Sequence, residues 1–188
     1  MKRIGILGGT FDPPHMGHLV IAEEVRLALE LDEIWLVPSF EPPHKDTAKS
    51  DSTDRLEMAK RAIQGNPAFK INTIEVDRIG KSYTFDTMKA LTSEFPHTDF
   101  YFIIGADMVE FLPHWKNIKP LMELVKFVGV QRKGYQLETD LPVEVVDIPM
   151  IEISSTMIRQ RLSDQGSVKY LVPDTVESYI KEKHLYEN

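Results

Sequence analysis

The sequence predicts an α/β protein: a doubly wound, mainly parallel sheet with helices on both faces and further helices at its C-terminal end. Two observations carry that prediction. Short apolar, β-prone runs recur at 3–8, 33–38, 69–76, 99–104, 126–132 and 143–148. Helical patterns fall between them at 17–30, 54–65, 85–95 and 117–125, and two more follow the last strand at 155–164 and 173–183. Strands alternating with helices argue for a parallel sheet covered on both sides. The 188 residues, 42% apolar and 27% charged, suit one soluble globular domain spanning 1–188. Within this class the expected architecture is Rossmann-like, two halves meeting where the strand order reverses beside the first strand.

The first strand, Ile4-Gly5-Ile6-Leu7, is apolar, bounded by glycine and reads as buried. It runs into Gly8-Gly9-Thr10-Phe11-Asp12-Pro13-Pro14-His15-Met16-Gly17-His18. The next helix carries Ile21, Val25 and Leu29 at helical spacing, with two histidines in its first turn. A glycine pair lets backbone approach a ligand, and the free N–H groups and positive end of a helix attract anions, phosphate above all. The histidines alone could also cap and pack, or join Asp12 in a metal site. With no cysteine and no second histidine pair nearby, structural zinc has little to complete it.

The second strand ends at Val37-Pro38 without an acidic ribose ligand, and the first is followed by Gly-Gly rather than G-x-G-x-x-G. A dehydrogenase is therefore disfavoured. Pro42-Pro43-His44-Lys45 lies in a Pro-rich, charged segment that by itself reads as a surface loop. Asp54 with Glu57 suits a capping box for the second helix. Gly80-Lys81-Ser82 copies the end of a P-loop, but Glu75 stands where its first glycine belongs. Thr84 reads as the cap of the next helix. The 99–104 strand ends at Gly105-Ala106-Asp107, so these residues and Gly8-Gly9 are expected to line one crevice at the carboxyl ends of the strands. Trp115, outside any amphipathic stripe, either covers an edge of the core or offers a flat stacking face. Arg132 ends its strand as a ligand cation or a surface one. Ser154-Ser155-Thr156 starts a helix, where a hydroxyl is ordinarily an N-cap worth about 1 kcal/mol. Three in a row, with Arg159 a turn away, also offer donors to triphosphate oxygens. Pro173 suits the first position of the last helix.

The net charge of −7 speaks against a general nucleic-acid binder, and leaves a polyanionic substrate to a few local cations. No apolar run is long enough to span a membrane, and the run after Met1-Lys2-Arg3 is too short for a signal peptide. With no cysteine there is neither disulfide nor thiolate chemistry, and the expected location is cytoplasmic.

His15-Met16-Gly17-His18 resembles the (H/T)-x-G-H signature of the nucleotidylyltransferase superfamily. The longer G-G-T-F-D-P-P-H-M-G-H is similar to that of the bacterial nicotinate mononucleotide adenylyltransferases. Ile153-Ser154-Ser155-Thr156-Met157-Ile158-Arg159 matches the superfamily's second signature, I-S-S-T-x-x-R. Both stand in the right order, and the resemblance covers essentially the whole chain. It implies adenylyl transfer from ATP to nicotinate mononucleotide, giving nicotinate adenine dinucleotide and pyrophosphate, in NAD biosynthesis.

The resemblance further implies that His15, His18 and Arg159 are catalytic, with His18 at the reacting α-phosphate and Arg159 at the leaving group. Those three, with Gly8, Gly9, Thr10, Phe11, Gly105, Asp107, Ile153, Ser154, Ser155 and Thr156, would meet ATP. Asp12, Lys45, Thr84, Trp115 and Arg132 would meet the mononucleotide, Thr84 through backbone facing the nicotinate carboxylate and Trp115 by stacking on its ring. Mg²⁺ would arrive with ATP, with no metal site on the protein. The expected partners are these two small molecules, with no nucleic acid and no membrane, and a homodimer is left open. Two other functions remain. Pantetheine-phosphate adenylyltransferase shares both signatures but lacks the P-P-H-K, S-Y-T-F-D-T and G-A-D-M…W segments. A non-catalytic dinucleotide sensor would not need His15, His18 and Arg159 together.

Overall fold

Four successive buried residues, Ile4 to Leu7, set strand β1 (Lys2–Gly9) in the middle of the sheet, because only a strand flanked and covered on all sides buries both its faces. The computed structural model describes residues 1–40, 48–78, 80–132, 139–149 and 151–187. After β1 come α1 (Met16–Ala28), β2 (Glu33–Pro38), α2 (Ser52–Ala62), β3 (Phe69–Ile71), α3 (Ile74–Arg78) and α4 (Thr84–Glu94). Then follow β4 (Thr98–Gly105), α5 (Ala106–Phe111), a 3-10 turn (Leu112–His114), α6 (Ile118–Leu124), β5 (Lys126–Arg132), β6 (Val143–Ile148), α7 (Ser155–Ser163) and α8 (Asp174–Lys183).

The sheet has six strands in the order β3-β2-β1-β4-β5-β6, and each neighbouring pair is parallel. The order reverses at β1, so the carboxyl ends of β1 and β4 open a crevice between the two halves. Alternate residues feed two cores. Ile4, Ile6, Phe100, Phe102 and Ile104 pack on one face with Met88, Leu91 and Leu121 of α4 and α6. Leu7, Tyr101 and Ile103 pack on the other with Ala22 and Val25 of α1. A third apolar cluster, with Met58, Ile158, Val176, Tyr179 and Ile180, joins α2, α7 and α8. It is this cluster that fixes α7 beside the crevice. Among the described residues, no helix is long and apolar enough to cross a membrane.

Several boundaries differ from expectation. β3 stops at Ile71 rather than 76, because the Asn72 side chain accepts the Ile74 N–H at 3.0 Å and turns the chain into α3. The cap of α2 is Asp51, which accepts the Asp54 N–H at 2.8 Å, so no capping box begins at Asp54. Glu57 is paired with Arg61 instead, at 2.8 Å. Thr84 is the first residue of α4 and not its cap, a place held by Tyr83 without a side-chain bond. Pro173 likewise precedes its helix by one residue. α5 went unread in the sequence, since six residues show too little periodicity to register.

Candidate active site

The chain leaves β1 through a loop that is held rather than loose. Phe11 has φ of 51°, a left-handed conformation that costs a bulky residue about 1–2 kcal/mol. Burial of its ring offsets that cost: Phe11 is 1% exposed and meets His18 edge-on, with centroids 5.0 Å apart. A side chain at Gly9 would press on the same ring from 3.1 Å.

His15 caps α1, and its ring stacks on that of His18 at 3.7 Å between centroids. The His15 backbone N–H donates to His18 Nδ1 at 3.2 Å. That bond fixes Nδ1 as the acceptor, so the proton of a neutral His18 ring sits on Nε2 as a donor turned away from the backbone. His15 is buried, and burial pushes its pKa down to about 4, so it stays neutral at physiological pH. Its Nδ1 has no hydrogen-bond partner. Gly17 makes room for this ring, as a Cβ there would lie 3.0 Å from Nδ1. One N–H at this helix start, that of Met16, is already given to the Leu171 carbonyl at 2.8 Å.

Helix α7 docks on the same loop from a distant part of the chain. Ser155 Oγ donates to the Pro13 carbonyl at 2.9 Å, and Arg159 Nη1 to the Asp12 carbonyl at 2.8 Å. Ser154 is the N-cap, accepting the Met157 N–H at 3.1 Å, and Thr156 Oγ1 accepts from Arg159 Nη2 at 3.3 Å. All three hydroxyls thus already have protein partners. Ile153 packs on the cluster beneath α7. Arg159 remains a quarter exposed, its Nη1 4.0 Å from the Asp12 carboxylate. That carboxylate itself turns inward. Asp12 is 3% exposed and its oxygens accept from Lys49 N at 2.7 Å, from Ser50 Oγ and from Tyr186 Oη at 2.6 Å. These bonds engage both oxygens from within the protein.

Across the crevice, Gly105 ends β4 and caps α5, and the Asp107 carboxylate folds back over it. A Cβ at Gly105 would lie 2.5 Å from Asp107 Oδ1, so a larger residue there would turn the carboxylate aside. The loop after the 3-10 turn abuts the start of α4: Lys116 Nζ lies 4.2 Å from the centre of the Tyr83 ring and 3.6 Å from the Asp86 carboxylate. Thr84 and Trp115 therefore belong to neighbouring segments. Trp115 covers an edge of the core, meeting Phe102 and Phe127 edge-on at 6.0 Å each. Ser82, just before α4, is buried with its hydroxyl unpartnered. In α3, burial raises the Glu75 pKa, and Glu75 accepts from Thr87 Oγ1 of α4 at 2.8 Å. Arg132 closes β5 opposite Ile148, its side chain lying outside the described atoms; Lys45 lies outside the described residues altogether.

Three residues at this site went unread in the sequence. Arg55 is 1% exposed and donates to the carbonyls of Thr10 at 2.9 Å, Ser39 at 2.6 Å and Phe40 at 2.9 Å. It had a signal: with Met58, Ala59 and Ala62 it forms an i, i+3, i+4, i+7 stripe, a cation on the buried face of a helix. Ser50 and Tyr186, which meet Asp12, had none.

The chain is similar in sequence and in fold to known proteins. The model of the cytidylyltransferase-like family matches residues 6–161. A probable nicotinate-nucleotide adenylyltransferase of Oceanobacillus iheyensis is 54% identical over 186 residues, 99% of this chain and 97% of that one. The nicotinate-nucleotide adenylyltransferase of Bacillus subtilis is 50% identical over the full length of both. Among solved structures, nicotinic acid mononucleotide adenylyltransferase of Plasmodium falciparum, complexed with NaAD, superposes with a TM-score of 0.80 at 22% identity. It covers 99% of this chain and 98% of its own, a likeness of fold.

Proposed function

As a chain that belongs to the cytidylyltransferase-like family, and within it to the nicotinate-nucleotide adenylyltransferases, we propose that this protein transfers the adenylyl group of ATP to nicotinate mononucleotide. The observation that carries the reading is the meeting of two distant segments: Ser155 and Arg159 bond directly to the loop at Asp12 and Pro13 that leads to His15 and His18. A 5′-phosphate oxygen of the mononucleotide attacks the α-phosphorus of ATP in line, a new P–O bond forms, and the bond to the β-phosphate oxygen breaks to release pyrophosphate. The attacking oxygen is already an anion, so no general base is required. Catalysis rests on positioning and on donors aimed where charge develops.

His18 Nε2–H is assigned to the α-phosphate, and the neutral His15 ring holds it in place by stacking. Arg159, with N–H groups left over after its two protein bonds, is assigned to the departing phosphates together with the start of α7 at Ile153–Thr156. Gly8, Gly9, Thr10 and Phe11 form the floor under ATP, while Gly105 and Asp107 take its ribose. The mononucleotide is given to the start of α4 at Thr84, to Trp115, and to the cations Lys45 and Arg132. The orphan hydroxyl of Ser82 supports a polar ligand group at that helix start. We move Asp12 from substrate contact to support of the loop. Mg²⁺ is assigned to the triphosphate, held by phosphate and water. The enzyme is placed in the cytoplasm, working as one domain.

Pyrophosphate release with ATP, Mg²⁺ and nicotinate mononucleotide tests the reading. The amide mononucleotide should be poorer in kcat/KM by about tenfold or more, since its NH₂ leaves buried donors unmatched at roughly 1–3 kcal/mol. Phosphopantetheine should not react. Equal use of acid and amide would overturn carboxylate recognition, and turnover of phosphopantetheine alone would overturn the substrate assignment.

A further inference from the structure

The C-terminal tail reaches the catalytic loop by a route that nothing in the reaction assigns. After α8 the chain takes a left-handed turn at His184, and the Leu185 N–H closes back on the Ile180 carbonyl at 3.0 Å. Leu185 packs into the cluster beneath α7 and α8. Tyr186 is again left-handed, with φ of 66°. Two such residues within three positions, neither of them glycine, cost backbone strain that persists only where surrounding contacts hold it. Their result is to turn the Tyr186 ring inward, 174 residues away from its hydrogen-bond partner. Its hydroxyl donates to Asp12 Oδ1 at 2.6 Å and lies 3.0 Å from Ser50 Oγ. Burial, reinforced by the Asp12 charge, pushes the phenol pKa well up, so the donor keeps its proton at any pH at which the protein works.

Asp12 is the node of this arrangement. Its carboxylate binds the tail through Tyr186 and the entry to α2 through Lys49 and Ser50, while its carbonyl accepts from Arg159. Arg55 grips the same loop from the other side, at the Thr10 carbonyl. We propose that Tyr186 is a positioning residue for adenylyl transfer: through Asp12 it fixes the loop against which Arg159 is set, so the C-terminal tail completes the leaving-group side of the site. This rests on the role given above to Arg159.

A double-mutant cycle with Tyr186→Phe and Arg159→Ala tests it, since Phe keeps the ring and removes only the hydroxyl. Two readouts are taken: kcat/KM for ATP, and the affinity for inorganic tripolyphosphate by calorimetry, which needs no turnover. Tyr186→Phe alone should lower both about tenfold, and less than about twofold when Arg159 is already Ala, because residues acting through one another are not additive. The thermal midpoint should fall by the same amount in both backgrounds. Ser50→Ala should act in the same direction but less, as Asp12 keeps its other donors. Equal losses in both backgrounds, or none in the wild type, would make Tyr186 a structural staple only. Should no adenylyl transfer be found at all, the functional reading falls, and the tripolyphosphate cycle alone decides for or against Tyr186.

Discussion

The starts of α1 and α7 meet at the loop around Asp12 and Pro13, yet they are built in opposite ways. At α1 the polar groups are two stacked imidazoles, one of them buried and held neutral. At α7 they are a partly exposed guanidinium and hydroxyls, each with a protein partner already. α1 has no acidic residue in its first turn and is capped between its two histidines, whereas α7 is capped by Ser154. The contrast suits two tasks in one reaction. On the proposed assignment, a ring donor fixed by its backbone bond stands at the α-phosphate, while a permanent cation suits the pyrophosphate, which gathers charge as it leaves.

Removing each end in turn should break the comparison most visibly. His18→Ala should lower kcat by about two orders of magnitude or more while leaving ATP binding largely intact, because a transition-state donor contributes mainly at the summit. Single-turnover rates beside ATP titrations separate the two effects. A kcat within a few-fold of wild type would take His18 out of the chemistry.

Arg159→Ala should differ in kind, raising the KM for ATP and lowering kcat together, by about thirtyfold in kcat/KM if it binds the phosphates in both states. Lysine should restore only part of this, since a point charge cannot hold the Asp12 carbonyl and phosphate together as a guanidinium fork can. An unchanged dependence on ATP would make Arg159 a clamp for the loop and nothing more.

How far this contrast could be read in advance depended on the range of the interactions. The strands β1, β2, β4, β5 and β6 were legible within a residue or two because each is rich in apolar, β-prone side chains. β3 was not, since a single Asn72 side chain ends it. The starts of α1 and α7 were both legible as motifs, but not the use made of the α7 hydroxyls, which depends on what docks against them. Asp12 shows the limit best. The sequence places it beside the histidines, and only the fold shows its carboxylate facing Ser50 and a tyrosine from a distant part of the chain.

The buried histidine also leaves a mark on stability. His15 in the folded protein titrates near 4, below the usual value of 6.5, so the unfolded chain binds its proton first as the pH falls. Stability is therefore complete above about pH 6.5 and is lost downward through pH 4. Between pH 7 and 5 the wild type should lose roughly 2 kcal/mol more than His15→Asn, which keeps a capping residue without the titration. Urea unfolding at both values measures it, and parallel pH slopes for the two proteins would show that His15 is not held neutral by burial.

The smallest expected effect probes whether the histidine end depends on exact stacking or only on its residues being present. Gly17 lies in the first turn of α1, and alanine there would improve intrinsic helix propensity by about 1 kcal/mol. Its Cβ, however, would stand 3.0 Å from His15 Nδ1 and 3.1 Å from Cε1, so the ring must move by a few tenths of an ångström. It cannot move alone, because it is stacked on His18, which also meets Phe11 edge-on. The strain is thus passed to the ring assigned to the α-phosphate. Gly17→Ala should leave the unfolding free energy within about 1 kcal/mol of wild type, the helix gain and the displacement nearly cancelling. Turnover should nevertheless fall about threefold to tenfold, since small misplacements of a transition-state donor are felt in rate before stability. At the arginine end, Ser155→Ala removes one hydroxyl bond to Pro13 without shifting a ring, and should cost stability more than rate. If Gly17→Ala kept full turnover, the stacked geometry would be incidental, and the difference between the two helix starts would reduce to which residues they carry.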